Sequence, residues 1–276
     1  MTLIRVAHSP DSDDAFMFYA LANELIDTGE FRFEHVLSDI ETLNRAAFDG
    51  TYEVTAVSVH AYAHLDERYA LLGSGASMGD NYGPVLVARE PIANSALGEI
   101  KVAIPGRLTS ASLALKMWNP SLQTFTLPFD EIMPAVRSGE MDAGVVIHEG
   151  QLTWKDEGFE KLVDLGVWWA EEHDALPLPL GCNVIRRDLG EAALTKVAEL
   201  LKASIEYSLA NRDAALDYAL DYGRGLDRDK ADRFVGMYVN ELTVDYGDRG
   251  RLAMKTFLDR ALAARLIPKV PQLDFL

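Results

Sequence analysis

The chain has 276 residues, room for about two domains or one large α/β unit at roughly 150 residues per domain. Apolar residues make up 49% of it and charged residues 25%, the profile of an ordinary globular protein and not of a disordered one. Its 26 Lys+Arg against 43 Asp+Glu give a formal net charge of −17, which repels phosphate backbones and anionic lipid, so neither nucleic acid nor a membrane is an expected partner.

Ile4-Arg5-Val6-Ala7 reads as a strand entering a turn at Pro10, and Asp14-Ala15-Phe16-Met17-Phe18-Tyr19-Ala20-Leu21 as the helix that follows. The start lacks the cationic residues and long apolar stretch of a signal peptide, and no run approaches the ~18 apolar residues of a spanning helix. A cytoplasmic location is expected. Asp11, Asp13 and Asp14 lack the spacing of a calcium loop and read as carboxylates at the positive end of the helix. Ser38-Asp39-Ile40-Glu41 fits a capping box for a second helix that stops at Gly50, before a strand through Val54-Thr55-Ala56-Val57-Ser58 toward His60. Both units then recur. Ile100-Lys101-Val102-Ala103, the turn Pro105-Gly106 and a helix from Ser110 to Trp118 echo the first. A helix capped by Asp130 and stopped at Gly139, then a strand through Val145-Val146-Ile147 to His148, echo the second. Two echoes in one order predict two similar α/β lobes. Ala88-Arg89-Glu90-Pro91-Ile92 reads as the exit from the first lobe, and Leu176-Pro177-Leu178-Pro179-Leu180-Gly181 as the return. After Gly190 the chain turns helical, with Leu194, Val197, Leu201, Ile205 and Leu209 on one face. The expected architecture is a larger discontinuous domain (1–89 plus 184–276), a smaller inserted domain (90–183), and a cleft between them.

Ligands of open α/β sheets sit beyond the carboxyl ends of strands. His8, His60 and His148 stand at such ends. A neutral imidazole at His148 can take a proton from a bound substrate; a strand-end histidine tied to a loop fits the same residues. His60 and His64 lack the acidic residue of a zinc-binding helix, and no His/Cys cluster has metal-ligand spacing. The single cysteine, Cys182, reads as a buried thiol, His35 as structural and His173 as solvated. Trp168, Trp169, Phe16, Phe18 and Tyr19 read as core. The turn Pro105-Gly106-Arg107-Leu108-Thr109-Ser110-Ala111-Ser112 offers N–H groups and hydroxyls to an anion, or spends them capping its own helix.

His8-Ser9-Pro10-Asp11-Ser12-Asp13-Asp14-Ala15-Phe16-Met17-Phe18-Tyr19-Ala20 closely resembles the opening of the 1,4-dihydroxy-6-naphthoate synthases of the futalosine route to menaquinone. The resemblance continues through Asp39-Ile40-Glu41-Thr42-Leu43-Asn44-Arg45, Gly83-Pro84-Val85-Leu86-Val87-Ala88-Arg89, Ile147-His148-Glu149 and Leu176-Pro177-Leu178-Pro179-Leu180-Gly181. It implies a two-lobe type II periplasmic-binding-protein-like fold. The implied activity is that of a carbon–carbon lyase splitting cyclic dehypoxanthinylfutalosine into 1,4-dihydroxy-6-naphthoate and dihydroxyacetone, with no cofactor and no metal. His148 matches the proton acceptor, and Ala56, Val57, Ser58, Ser110 and Ala111 match substrate contacts. Thr109 and Asn44 join them by proximity and donor chemistry, and Glu149 is the neighbour expected to orient the imidazole. The implied ligand is a small anionic molecule, and the N–H groups and hydroxyls of Thr109, Ser110 and Ala111 are expected to hold its carboxylate. Some members carry Cys-Pro-Asn-Asp where this chain has Asp11-Ser12-Asp13-Asp14. The alternatives are the sister chorismate dehydratase and a non-catalytic solute-binding or sensor protein on the same scaffold.

Overall fold

The structure is a computed structural model that describes residues 1–223 and 225–276. In chain order the first part holds β1 (Thr2–His8), α1 (Ser12–Ala22), β2 (Phe31–Leu37), α2 (Ile40–Phe48), β3 (Val54–Ser58), α3 (Val59–Tyr62), β4 (Tyr69–Leu71) and β5 (Ser77–Gly79). Next come β6 (Val85–Ala88), β7 (Lys101–Ile104), α4 (Ser110–Trp118), β8 (Gln123–Thr126), α5 (Ile132–Ser138), β9 (Ala143–Val146), α6 (Gly150–Thr153), β10 (Glu160–Asp164) and α7 (Leu165–Glu172). The chain finishes with β11 (Leu178–Arg186), α8 (Glu191–Ala210), α9 (Arg212–Leu220), α10 (Arg228–Tyr238), α11 (Glu241–Val244) and α12 (Gly247–Ala263). No described helix is long and apolar enough to cross a membrane.

The strands form two mixed sheets. The first runs β2-β1-β3-β11-β4, with β5 also paired to β11; the second runs β10-β6-β9-β7-β8. In the first, β1 is parallel to β2 and β3, and β11 returns antiparallel between β3 and β4. In the second, β7 is parallel to β8 and β9, while β6 is antiparallel to β9 and β10. The two repeated strand–helix units thus open different sheets. Their strand ends converge on the gap between the sheets.

Strand pairing puts the crossings earlier in sequence than the expected boundaries at 90 and 184. All four residues of β6 are buried, and this apolar run is hydrogen-bonded on both sides inside the second sheet. The chain therefore changes sheet between β5 and β6. It returns between α7 and β11, whose residues from Leu178 onward belong to the first sheet. Two predicted caps also differ. Asp39, not Ser38, caps α2, its side chain accepting from the Thr42 N–H, because its extended backbone aims the carboxylate at the free end. Asp130 lies in a short 3-10 turn before α5 and makes no cap bond, so that helix starts without one.

Helix α1 is apolar nearly all round because it is covered on nearly all sides. Phe16, Met17 and Phe18 are almost fully buried against the first sheet and against Val197, Leu201 and Ile205 of α8. Each such side chain contributes roughly 1.5–3 kcal/mol by burial. Ser204 fixes the register, its hydroxyl donating to the Met17 carbonyl at 2.9 Å.

Where the chain passes into the second sheet, Gly166 at the start of α7 packs directly on backbone. A Cβ there would overlap the carbonyl of Tyr82 and the amide of Gly83. Gly166→Ala is expected to lower stability by about 3 kcal/mol in urea unfolding. Gly236, exposed in α10 with only an ordinary contact to Arg212, gives the opposite sign: Gly236→Ala gains about 0.5–1 kcal/mol.

Candidate active site

A cavity of about 110 Å³ lies between the sheets and is lined by both. One wall is Ser9, Asp11 and Asp13, with Ala56, Val57 and Ser58 at the end of β3. The opposite wall is Thr109, Ser110 and Ala111 at the start of α4, with Ile147, His148 and Gln151 after β9. Leu180, Gly181, Cys182 and Asn183 of β11 line it between these walls, and Phe234 and Tyr238 reach in from α10. Seven of the eight expected site residues are therefore brought together around one cavity.

Asn44 is the exception. It is fully buried behind β3, where its amide donates to the Ser58 hydroxyl at 3.0 Å and accepts from the Ser58 N–H at 2.8 Å. Its work is to hold Ser58. Other histidines are also accounted for. His8 and His35 pair at 3.2 Å in the first lobe, and burial lowers each to a pKa of about 4, so both are neutral. Burial likewise brings His60 to about 4; its ring nitrogen lies 3.3 Å from the Thr109 carbonyl of the other lobe. His173, expected in solvent, is instead stacked on Trp169 with ring centroids 3.7 Å apart.

His148 sits one residue beyond Ile147 with a left-handed backbone, φ 53°. For a residue with a Cβ this conformation is sparsely populated and costs of order 1 kcal/mol. Its Nδ1 lies 2.9 Å from Oδ2 of Asp11, which reaches across from the first lobe. Glu149, the expected orienting neighbour, is buried beside it, and Nδ1 is held by Asp11. The ring of Phe129 meets the imidazole edge-on at 5.0 Å. With Nδ1–H donated to a carboxylate, the neutral ring presents a bare Nε2.

Asp11 also caps α1, as the sequence suggested: Oδ1 accepts the Asp14 N–H at 3.3 Å. Ligand atoms of Asp11, Asp13 and Asp14 all lie within 4.8 Å of one another. That charge would suit a hard cation, yet both Asp11 oxygens are engaged and Asp14 Oδ2 accepts the Ser9 N–H at 2.8 Å. Burial first, and then the Asp11 charge, push Asp13 and Asp14 well above the usual carboxyl range. Asp13 shares a side-chain hydrogen bond with Asp11, while its Oδ1 is buried with no hydrogen-bond partner among the described residues.

At the other wall the hydroxyls are committed internally. Thr109 Oγ1 donates to the Gly106 carbonyl at 2.9 Å and accepts the Ser112 N–H at 3.2 Å. Ser110 Oγ donates to the Leu180 carbonyl at 2.6 Å and accepts the His60 N–H at 3.2 Å. An anion would meet mainly the first-turn N–H groups of α4 and the positive end of its dipole. Sequence reasoning missed Gln151 and Tyr238, whose hydroxyl donates to Gln151 Oε1 at 2.6 Å across the cleft. No local motif marks this pair.

Solved structures define the class of scaffold. The alkanesulfonate-binding protein SsuA of Xanthomonas axonopodis pv. citri superposes with a TM-score of 0.69 at 13% identity, covering 99% of this chain and 96% of that one. At such identity the likeness is one of fold alone: a two-lobed periplasmic-binding-protein scaffold. An Archaeoglobus fulgidus protein of known structure is 48% identical, with a TM-score of 0.92 over 96% of this chain and 98% of its own. The sequence narrows the class. The chain belongs to the menaquinone-biosynthesis family, whose profile matches residues 4–263. Two relatives named 1,4-dihydroxy-6-naphthoate synthase are similar along nearly their whole length. The one from Thermus thermophilus is 38% identical, covering 99% of this chain and 98% of its own. The one from Streptomyces coelicolor is 35% identical, covering 96% and 95%.

Two stability measurements test the site's construction. A carboxyl held protonated in the fold but ionised when unfolded makes stability fall as pH rises above its unfolded pKa. Asp13→Asn removes that loss, so its advantage over the wild type should grow as pH rises above the ordinary carboxyl range, by at most about 1.4 kcal/mol per pH unit in urea unfolding. Asn44→Ala strands buried groups of Ser58 and should cost about 2 kcal/mol at any pH.

Proposed function

We propose that this chain catalyses the reaction for which its relatives are named, splitting cyclic dehypoxanthinylfutalosine into 1,4-dihydroxy-6-naphthoate and dihydroxyacetone. The observation that carries the reading is His148, aimed into a cavity walled by both lobes and otherwise bordered largely by apolar side chains and capping groups. The bare Nε2 takes the proton of a substrate hydroxyl. The O–H pair becomes the new C=O, the neighbouring C–C bond breaks, and its electron pair enters the bicyclic ring system. That system becomes aromatic as dihydroxyacetone leaves, and the imidazolium returns its proton to a ring oxygen.

Aromatisation supplies driving force, so the protein's tasks are to position, deprotonate and exclude water. A well-placed general base contributes about 10²–10⁴-fold, or roughly 3–5 kcal/mol. The N-terminus of α4 is the fitting place for the substrate carboxylate. The hydroxylated sugar portion then faces Asp11, Asp13 and His148. This puts the negative end of the ligand against peptide N–H groups and its hydroxyls among acceptors.

The test is to offer the purified protein cyclic dehypoxanthinylfutalosine and chorismate separately and identify products by mass spectrometry. Naphthoate and dihydroxyacetone are expected from the first and nothing from the second. Conversion of chorismate would make it the dehydratase, and binding without conversion a solute-binding protein. His148→Gln should lower kcat by about 10²–10⁴-fold with KM changed only a few-fold. Unchanged turnover in that variant would remove His148 as the base.

A further inference from the structure

The mechanism requires His148 to keep its Nε2 bare. Its Nδ1 is held by a residue from the other lobe, Asp11 Oδ2, at 2.9 Å, with the carboxylate side chain only 3% exposed and the imidazole 15%. Asp11 is in turn fixed from behind. Its Oδ1 accepts the Asp14 N–H at 3.3 Å, and Asp13 hydrogen-bonds to it from the same helix end. We propose that Asp11 is a positioning residue for His148, fixing the tautomer and ring orientation that make Nε2 the base, in addition to capping α1. This deepens the functional reading above and rests on it.

Three observations converge on the assignment. His148 adopts a left-handed backbone at a conformational cost, and its side chain meets the first lobe at Asp11, a contact that helps to offset that cost. Phe129 closes one side of the imidazole edge-on, so the ring is restrained by packing as well as by its hydrogen bond. Burial and the neighbouring Asp11 carboxylate push the Asp13 carboxyl upward, which favours its neutral form beside the Asp11 oxygen that faces the imidazole.

The two roles of Asp11 can be separated, because Asp, Asn and Ser all cap helices well but differ in reach and charge. Asp11→Asn keeps the cap and the size and loses the charge. Asp11→Ser keeps the cap and falls short of His148. In long-range ¹H–¹⁵N spectra of the unliganded protein, with His148 assigned by comparison with His148→Gln, the wild type should show neutral His148 with its proton on Nδ1. Asp11→Ser should shift population toward the Nε2–H form. In turnover, kcat should fall about 10- to 100-fold in Asp11→Ser, less in Asp11→Asn, with KM within about threefold in both. A purely capping Asp11 would leave all three proteins alike. The proposal is overturned if wild-type His148 carries its proton on Nε2, or if both variants keep wild-type kcat. A wild type that turns nothing over would instead sink the functional reading, and the tautomer spectra would still decide whether Asp11 orients His148.

Discussion

The contact between Asp11 and His148 joins side chains from opposite sheets, and it exists only while the two lobes are closed on one another. The same closure is pinned elsewhere: Tyr238 reaches Gln151, the His60 N–H reaches Ser110, and the Leu108 N–H reaches Glu41 at 3.1 Å. Separating the lobes would break the Asp11–His148 contact along with these bonds. On the proposed reading, the chemistry is thereby confined to the arrangement that excludes water, the usual logic of sites assembled by domain closure.

The second constraint is electrostatic. A protein of net charge −17 repels anions at long range, and the cavity itself gathers Asp11, Asp13 and Asp14 in the same lining as His148. Burial and the Asp11 charge push Asp13 and Asp14 upward, toward their neutral forms, while the N–H groups of Asp14 and Ser9 are donated to Asp11 and Asp14. The start of α4 carries no acidic residue in its first turn, unlike that of α1. The cleft is therefore polarised, with a carboxylate-rich wall facing a peptide-dipole wall. On the proposed reading, that asymmetry admits a ligand with a carboxylate at one end and hydroxyls at the other in one orientation.

Much of this was legible in the sequence where chemistry is local. The strand–turn–helix units at β1–α1 and β7–α4, the glycine stop at Gly139 and the buried stripe of α8 follow from periodicity and capping preferences. The position of His148 at the end of β9 marked it as a candidate for the same reason. What depends on pairing between distant segments was hidden. Val85-Leu86-Val87-Ala88 reads as a strand from its composition, but only the positions of β9 and β10 show that it belongs to the second sheet. Asp11 was visible as a cap, and that reading holds; its second bond requires knowing that the loops after β1 and β9 face each other. Asn44 shows the converse. Its donor chemistry pointed to a ligand, and the fold spends both ends of its amide on Ser58.

Cys182 adds a consequence of a different kind. It is the chain's single cysteine, it lines the cavity from β11, and only 2% of it is exposed, with burial pushing its thiol well above the ordinary range. In the closed arrangement such a sulfur is shielded and protonated, hence inert. Its alkylation rate would clock how often the two halves part, making the native thiol an intrinsic reporter of breathing in an enzyme that needs no engineered label.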